Sequence, residues 1–375
     1  MPATLTLRDL NRATLARQHL LARTTAAVPD VVAQVAGLQA QLARPPFVGL
    51  WTRVAGFTRA ALAAPVHARR LVRVTAMRGT LHVMTAADYL ALRAPLATML
   101  AAGASGVLKD RATGFDAAHV LDLAREVLRA RGPLPFDALR DELAARLPDA
   151  DPSADSGQRV RAMGYTVRMH LPLVQVPTDG APWGWDGKAP FALAEDWLGA
   201  PCATDGDPAT LVRRYLAAFG PATPADAQAW SGVKGLRATF AAMRDALVTF
   251  RDERGRELFD LPDAPRPGAD ADAPVRFLPD FDNLVLGHDD RTRVVADAHR
   301  PRIVSRNLQV AATFLVDGMV AGTWTAAKAR GTATLTLQPF ATLAPAARRA
   351  LEGEGETLLR FVEPEARAHA VVVAA

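Results

Sequence analysis

Apolar residues along this chain alternate between two spacings, and the order in which the spacings occur repeats three times. In the first copy, residues 7–21 place Leu10, Leu15 and Leu20 on one stripe of a helix. Val31, Val32, Val35, Leu38 and Leu42 continue at helical spacing, which predicts a second helix running to a stop at Pro45-Pro46, with Gln39-Ala40-Gln41 near its end. Residues 58–64 read as a short third helix ended by Pro65. Residues 69–85 change to a β-rich alternation broken at Arg78-Gly79, the signature of a hairpin. Residues 86–100 return to a helix with Thr85 as its N-cap.

The same order follows twice more. Residues 119–130, 136–147 and 158–170 read as helices, with a polar loop at 148–157, and 173–185 as a strand, a Gly/Pro turn and a second strand. Residues 208–219, a helix opened by Thr223-Pro224 and closed at Gly232, and residues 234–247 precede a hairpin at 248–261. Three helices and a hairpin make a winged helix. The expected fold class is therefore α+β: three tandem winged-helix modules (helix-turn-helix plus β-hairpin) at 1–115, 116–206 and 207–262. A Pro/Asp/Ala linker at 262–275 leads to a β-rich, barrel-like domain at 275–375, with Asp317-Gly318 as a hairpin turn and a short helix at 345–353.

Charge adds a partner to this picture. The first 111 of the 375 residues hold 13 arginines and one lysine against four aspartates and no glutamate, a net of +10. The rest holds 30 basic and 35 acidic residues, a net of −5. A basic module on a mildly acidic remainder predicts a polyanionic partner, with nucleic acid as the expectation. A GC-rich genome would explain why arginine replaces lysine, but not why acids are missing from one third of the chain. The single cysteine, Cys202, excludes an internal disulfide and a cysteine-based zinc site, and the histidines show no metal-binding spacing, so no metal or cofactor is expected. The chain opens without a basic and then apolar leader, and no apolar run is seen to reach the roughly 18 residues of a membrane span. A cytoplasmic, nucleoid-associated protein without membrane contact is the expectation.

The segments AGLQAQLARPPFVGLW, RGTLHVMTAADY, GPATPADAQAWSG, FLPDFDNLVLGHDDR and FLVDGMVAGTW span nearly the whole chain and carry a resemblance. The sequence resembles the AlkZ/YcaQ family of DNA glycosylases, which are built of tandem winged helices with a C-terminal β domain. The family's functional motif is Gln, any residue, then Gln or Asp, and Gln39 and Gln41 match it. The resemblance implies that both are catalytic. Gln at the second position places the chain nearer the AlkZ type, associated with self-resistance to DNA-alkylating natural products, than the Asp-containing YcaQ type.

The chemistry of two amides agrees with that assignment. Breaking an N-glycosidic bond builds positive charge on the sugar while water attacks C1′. A glutamine carbonyl can orient water and face a developing cation, but it is too weak to take a proton. Two amides therefore suit a base that is already cationic, such as N7-alkylguanine. The expected activity is that of a monofunctional DNA glycosylase acting on N7-alkylguanine lesions, including bulky adducts or interstrand crosslinks. A lyase would need an amine nucleophile, and none of Lys109, Lys188, Lys234 and Lys328 lies near the glutamines in sequence. One geometric difficulty remains in a helical motif: residues two apart point about 200° from each other on a regular helix. Sharing one water would then require the helix to end or distort.

Arg44, Arg69, Arg70, Arg73 and Arg78 are candidate contacts to DNA phosphates, set against a solvated basic face. His82, between apolar strand residues, reads as a core histidine in preference to a catalytic one. Asp280, Asp282 and Asn283 read as turn and packing residues, and Trp183 and Trp185 as packing for a wing. A winged-helix transcription regulator and a non-catalytic binder of a DNA-damaging metabolite are the alternative functions. Three modules in one chain suggest a monomer wrapping a lesion more than a dimeric regulator.

Overall fold

The computed structural model describes residues 3–108, 116–147 and 156–374, so most of the polar loop expected at 148–157 lies outside the described residues. The chain opens with β1 (Thr4–Leu5) and the helix Leu7–Arg17, whose Thr6 and Asp9 form a reciprocal capping box. The helix Val28–Gln34 follows, and it ends well before Pro45-Pro46. Gly37 donates its N–H to the Val32 carbonyl and Ala36 to that of Ala33, and both residues are left-handed, with φ of 86° and 57°. This is a Schellman stop. A Cβ at Gly37 would lie 3.1 Å from Met84 Cγ and 3.2 Å from the Val83 carbonyl, so the left-handed backbone favours glycine and a side chain would also press its neighbours back by a few tenths of an ångström.

The chain leaves that turn as β2 (Leu38–Gln39). The predicted helical setting of Gln39-Ala40-Gln41 is therefore corrected: the segment begins on a strand. Pro45 and Pro46 open the next helix, Pro45–Arg53, in its first turn, where a missing N–H leaves no bond unmade. The helix Arg59–His67 runs through Pro65 instead of ending there. β3 (Leu71–Thr75) and β4 (Leu81–Thr85) form the expected hairpin about one tight turn, Met77–Gly79.

The helix Ala86–Leu108 continues past its predicted end and is long and apolar enough to cross a membrane, which the sequence reading missed. Its polar groups are nonetheless met by protein. Asp88 pairs with Arg214 at 2.6 Å, and Arg93 donates to the His170 carbonyl at 2.6 Å. Helices Ala117–Arg131, Phe136–Arg146 and Ser156–His170 fall where the periodicity puts them and share a core of Val120, Val127, Leu139, Leu143 and Val167. β5 (Leu173–Gln175) pairs with β6 (Phe191–Leu193), not with the segment around Trp185. Helices Ala209–Phe219, Pro224–Ser231 and Leu236–Ala242 precede β7 (Val248–Asp252) and β8 (Glu257–Asp260).

The C-terminal region holds β9 (Arg276–Leu278), β10 (Thr313–Val316), β11 (Met319–Ala329), β12 (Thr332–Pro339), the helix Pro345–Val362 and β13 (Ala368–Val373). Its strands form one sheet in the order β13-β12-β11-β10-β9. That sheet is open, with β13 and β9 at its edges, so the barrel-like expectation is corrected. β12 and β13 run parallel because the helix between them carries the chain back across the sheet.

The strands also join distant parts of the chain. β5 pairs with β3, which merges two hairpin regions into one sheet of order β2-β4-β3-β5-β6. Val72, Val74 and Met84 enter one core of this sheet, and Leu71 and Val83 enter the other, so β3 is buried along its length. The second of those cores also takes in Val31, Leu38, Phe47 and Trp51 together with Phe277, Leu335 and Leu358 of the C-terminal region. β1 pairs with β7 far along the chain.

Candidate active site

β2 is an edge strand, and its register sets Leu38 opposite Val83 and Gln39 opposite His82. Ala40 extends the ladder by donating to the Leu81 carbonyl at 2.7 Å. Gln39 lies on the strand and Gln41 in the bend that follows it, so the roughly 200° separation of a regular helix does not apply to them. Ala40, fully buried, faces the opposite core.

The two glutamines differ in their surroundings. Gln39 is only 6% exposed, and its Oε1 accepts from Arg78 Nη2 at 2.7 Å. Gln41 is exposed, and its Oε1 meets the Leu81 N–H at 3.4 Å, a long contact that leaves the amide largely free. No acid hydrogen-bonds either side chain among the described residues.

Arg78 sits in the turn joining β3 and β4 with a left-handed φ of 56°. Besides Gln39 it donates to Asn283 Oδ1 at 3.1 Å and to the Trp230 carbonyl. Burial of the guanidinium and the nearby Arg291 lower its pKa to about 10, which still leaves it charged at neutral pH. Asn283 in turn donates Nδ2 to the Gly37 carbonyl at 3.1 Å. Sequence reasoning placed Asn283 among turn and packing residues; its contact with the motif is tertiary, across most of the chain. The stop at Gly37, by contrast, had a local signal, since glycine after an apolar helical stripe is a common helix end.

Of the five arginines proposed to hold phosphates, four have partners inside the protein. Arg73 is 5% exposed and donates to the Ala40 carbonyl through Nε and Nη2 and to Gln175 Oε1 through Nη1 at 2.6 Å. Burial, with Arg168 close by, lowers its pKa to about 10. Arg78 is engaged as described. Arg69 lies 4.1 Å over the Trp197 ring and donates to its carbonyl at 2.8 Å, and Arg44 pairs with Asp280 at 3.6 Å. Arg70 is exposed, and its side chain meets no partner among the described residues.

His82 is fully buried, with Nδ1 3.1 Å from the Thr80 carbonyl and Nε2 unpartnered. Burial and the Arg78 charge push its pKa down to about 3, so it is neutral at physiological pH. Trp185 donates Nε1 to the Gln175 carbonyl at 3.1 Å, and Trp183 packs edge-on to Phe47 with Arg59 over its face at 3.9 Å. Asp282 clamps the buried Arg53 through both oxygens at 2.8 and 2.9 Å.

That last pair belongs to a wider pattern. Arg8, Arg12, Arg17, Arg23, Arg44 and Arg53 each pair with an acid in the C-terminal half: Asp317, Asp260, Glu354, Asp280 or Asp282. The charge asymmetry between the two parts of the sequence is therefore taken up in good measure within the molecule.

Comparison with known proteins agrees with these features. The family described as DNA glycosylase AlkZ-like matches residues 32–361. A protein of Streptomyces sahachiroi named interstrand DNA cross-link repair glycosylase is 31% identical over 326 residues, covering 82% of this chain and 84% of its own length. The solved structure of the Streptomyces sahachiroi DNA glycosylase AlkZ superposes with a TM-score of 0.77 at 24% identity, covering 99% of this chain and all of that one, and so shares the fold. With the family match spanning most of its length, this chain belongs to the AlkZ-like DNA glycosylases.

Proposed function

We propose that the chain is a monofunctional DNA glycosylase that hydrolyses the N-glycosidic bond of cationic N7-alkylguanine, including bulky adducts and interstrand crosslinks made by a DNA-alkylating natural product. It acts as a cytoplasmic monomer on double-stranded DNA without a cofactor, through Gln39 and Gln41. The 116–206, 207–262 and N-terminal 1–115 regions serve as winged-helix modules around the DNA, with the 275–375 region as a β-rich support.

The observation that carries this reading is two neutral amides, Gln39 on the edge strand and Gln41 just beyond it, with no acid bonded to either among the described residues. Amides neither protonate a leaving base nor deprotonate water. They orient a nucleophile and meet developing charge. That suffices when the base already bears a positive charge, because the electron pair of the C1′–N9 bond neutralises it on departure. Water supplies the oxygen at C1′ and releases its proton to solvent. The name of the Streptomyces sahachiroi relative supports crosslinked DNA as a substrate.

The test is incubation with duplex containing N7-methylguanine, then alkali. Strand breaks at the lesion are expected, and a crosslinked duplex should separate into two strands. Absence of breaks on both substrates sinks the proposal. Borohydride during the reaction should trap no protein–DNA adduct; a trapped adduct overturns the monofunctional assignment.

A further inference from the structure

Arg78, read from sequence as a phosphate contact, occupies a closed circuit behind the motif. The Gly37 carbonyl accepts from Asn283 Nδ2, Asn283 Oδ1 accepts from Arg78 Nη2, and the same Nη2 donates to Gln39 Oε1, two residues beyond Gly37. The Trp230 carbonyl takes the other guanidinium nitrogen. The circuit thus joins the motif strand, the β3–β4 turn, the helix Pro224–Ser231 and the C-terminal region.

A guanidinium has donors only. The Gln39 amide atom that faces it is therefore the oxygen, because the flipped amide would set N–H against N–H. Asn283 is fixed by the same rule, with its oxygen toward Arg78 and its nitrogen toward a carbonyl. Gln39 Nε2 hydrogen-bonds no described residue, which leaves both its N–H groups for a substrate.

We propose that Arg78 is a positioning residue that holds the Gln39 amide carbonyl-inward, so that Gln39 offers N–H donors to the departing base while the exposed Gln41 supplies the acceptor that orients water. This rests on the glutamine pair being the reacting centre. When the C1′–N9 bond breaks, its electron pair moves onto the base, and a donor aimed at the base stabilises that density. Arg78 draws density from the amide through its oxygen, which strengthens the opposite N–H groups. Its own charge stays behind the amide, away from the sugar where positive charge builds.

The experiment measures single-turnover base release from N7-methylguanine duplex, with DNA affinity in parallel. Gln39→Glu keeps a partner for Arg78 but removes the donors, and it should be as slow as Gln39→Ala, about 10²-fold below wild type. Arg78→Met should slow the wild-type protein by about tenfold or more and add nothing in the Gln39→Ala background, because the group it positions is gone. A Gln39→Glu protein with wild-type or higher rates overturns the proposal. So does an Arg78→Met effect of equal size in both backgrounds. Should Arg78→Met not fold, Asn283→Ala in the same two backgrounds decides by the same outcomes. Full activity in Gln39→Ala would instead remove the underlying glutamine assignment.

Discussion

The guanidinium of Arg73 reaches across β4 and donates to the carbonyl of Ala40 twice, from Nε at 3.0 Å and Nη2 at 2.7 Å. The peptide between the two glutamines is thereby gripped from a strand two places into the sheet. A residue that sequence would assign to DNA instead builds the backbone that presents the motif.

Arg73→Ala should accordingly act on stability and turnover more than on DNA affinity. Charge-assisted bonds to a buried carbonyl are worth about 1.5–3 kcal/mol, so denaturant unfolding should show a loss near that size. Base release should slow because Ala40 and both neighbours loosen. A variant that loses DNA affinity and keeps its stability would return Arg73 to the phosphate contacts.

Arg70 and Arg69 separate for the same reason. Arg70 is exposed and unpartnered among the described residues, while Arg69 is stacked on Trp197 and bonded to its carbonyl. Arg70→Ala should lower the slope of log affinity against log salt by about 0.9, one phosphate contact, equally on damaged and undamaged duplex. Arg69→Ala should change it much less. Equal slopes for all three proteins would remove Arg70 from the interface.

For the motif itself, Gln39→Ala and Gln41→Ala should each slow base release by about 10²-fold or more with DNA affinity nearly unchanged. The double variant should lose about the product of the two, since one amide faces the base and the other the water, whereas a loss well below the product would mean that both hold one water. Gln41→Asp restores an acceptor and should retain activity on N7-methylguanine. Full excision by the double alanine variant would place the catalytic centre elsewhere.

Stability should fall on the acid side of neutrality. His82 and His288 are both fully buried and held neutral, with pKa values pushed down to about 3 by burial and by neighbouring arginines. An unfolded histidine takes up a proton near its ordinary pKa of about 6.5, whereas the folded one resists until far lower. The stabilising effect is therefore complete above about pH 6.5 and is lost as pH falls toward the folded value, by at most about 1.4 kcal/mol per pH unit for each group. Guanidinium midpoints taken from about pH 7.5 down to 4.5 should show this decline. His82→Gln should flatten it, and an unchanged slope in that variant would mean that His82 titrates normally.

What the sequence determined by itself is the local and periodic part of this protein. The helices Ala117–Arg131, Phe136–Arg146 and Ala209–Phe219 and the hairpin of β3 and β4 were legible because a buried stripe leaves a period that needs no knowledge of its partner. The family was legible as well, since the segments that carry it are strings. Tertiary structure decided everything that depends on who sits opposite. Gln39 lies on a strand because β4 offers an edge and the Ala36-Gly37 stop turns the chain toward it, although the apolar spacing through Leu42 continues as if helical. The roles of the arginines were closed to sequence reasoning for a plainer reason. A long cation can reach a phosphate or an acid equally well, and the acids that meet Arg17 and Arg53, Asp260 and Asp282, lie more than two hundred residues away in the chain. Composition counts those charges, but only the fold says which of them face each other and which remain for DNA.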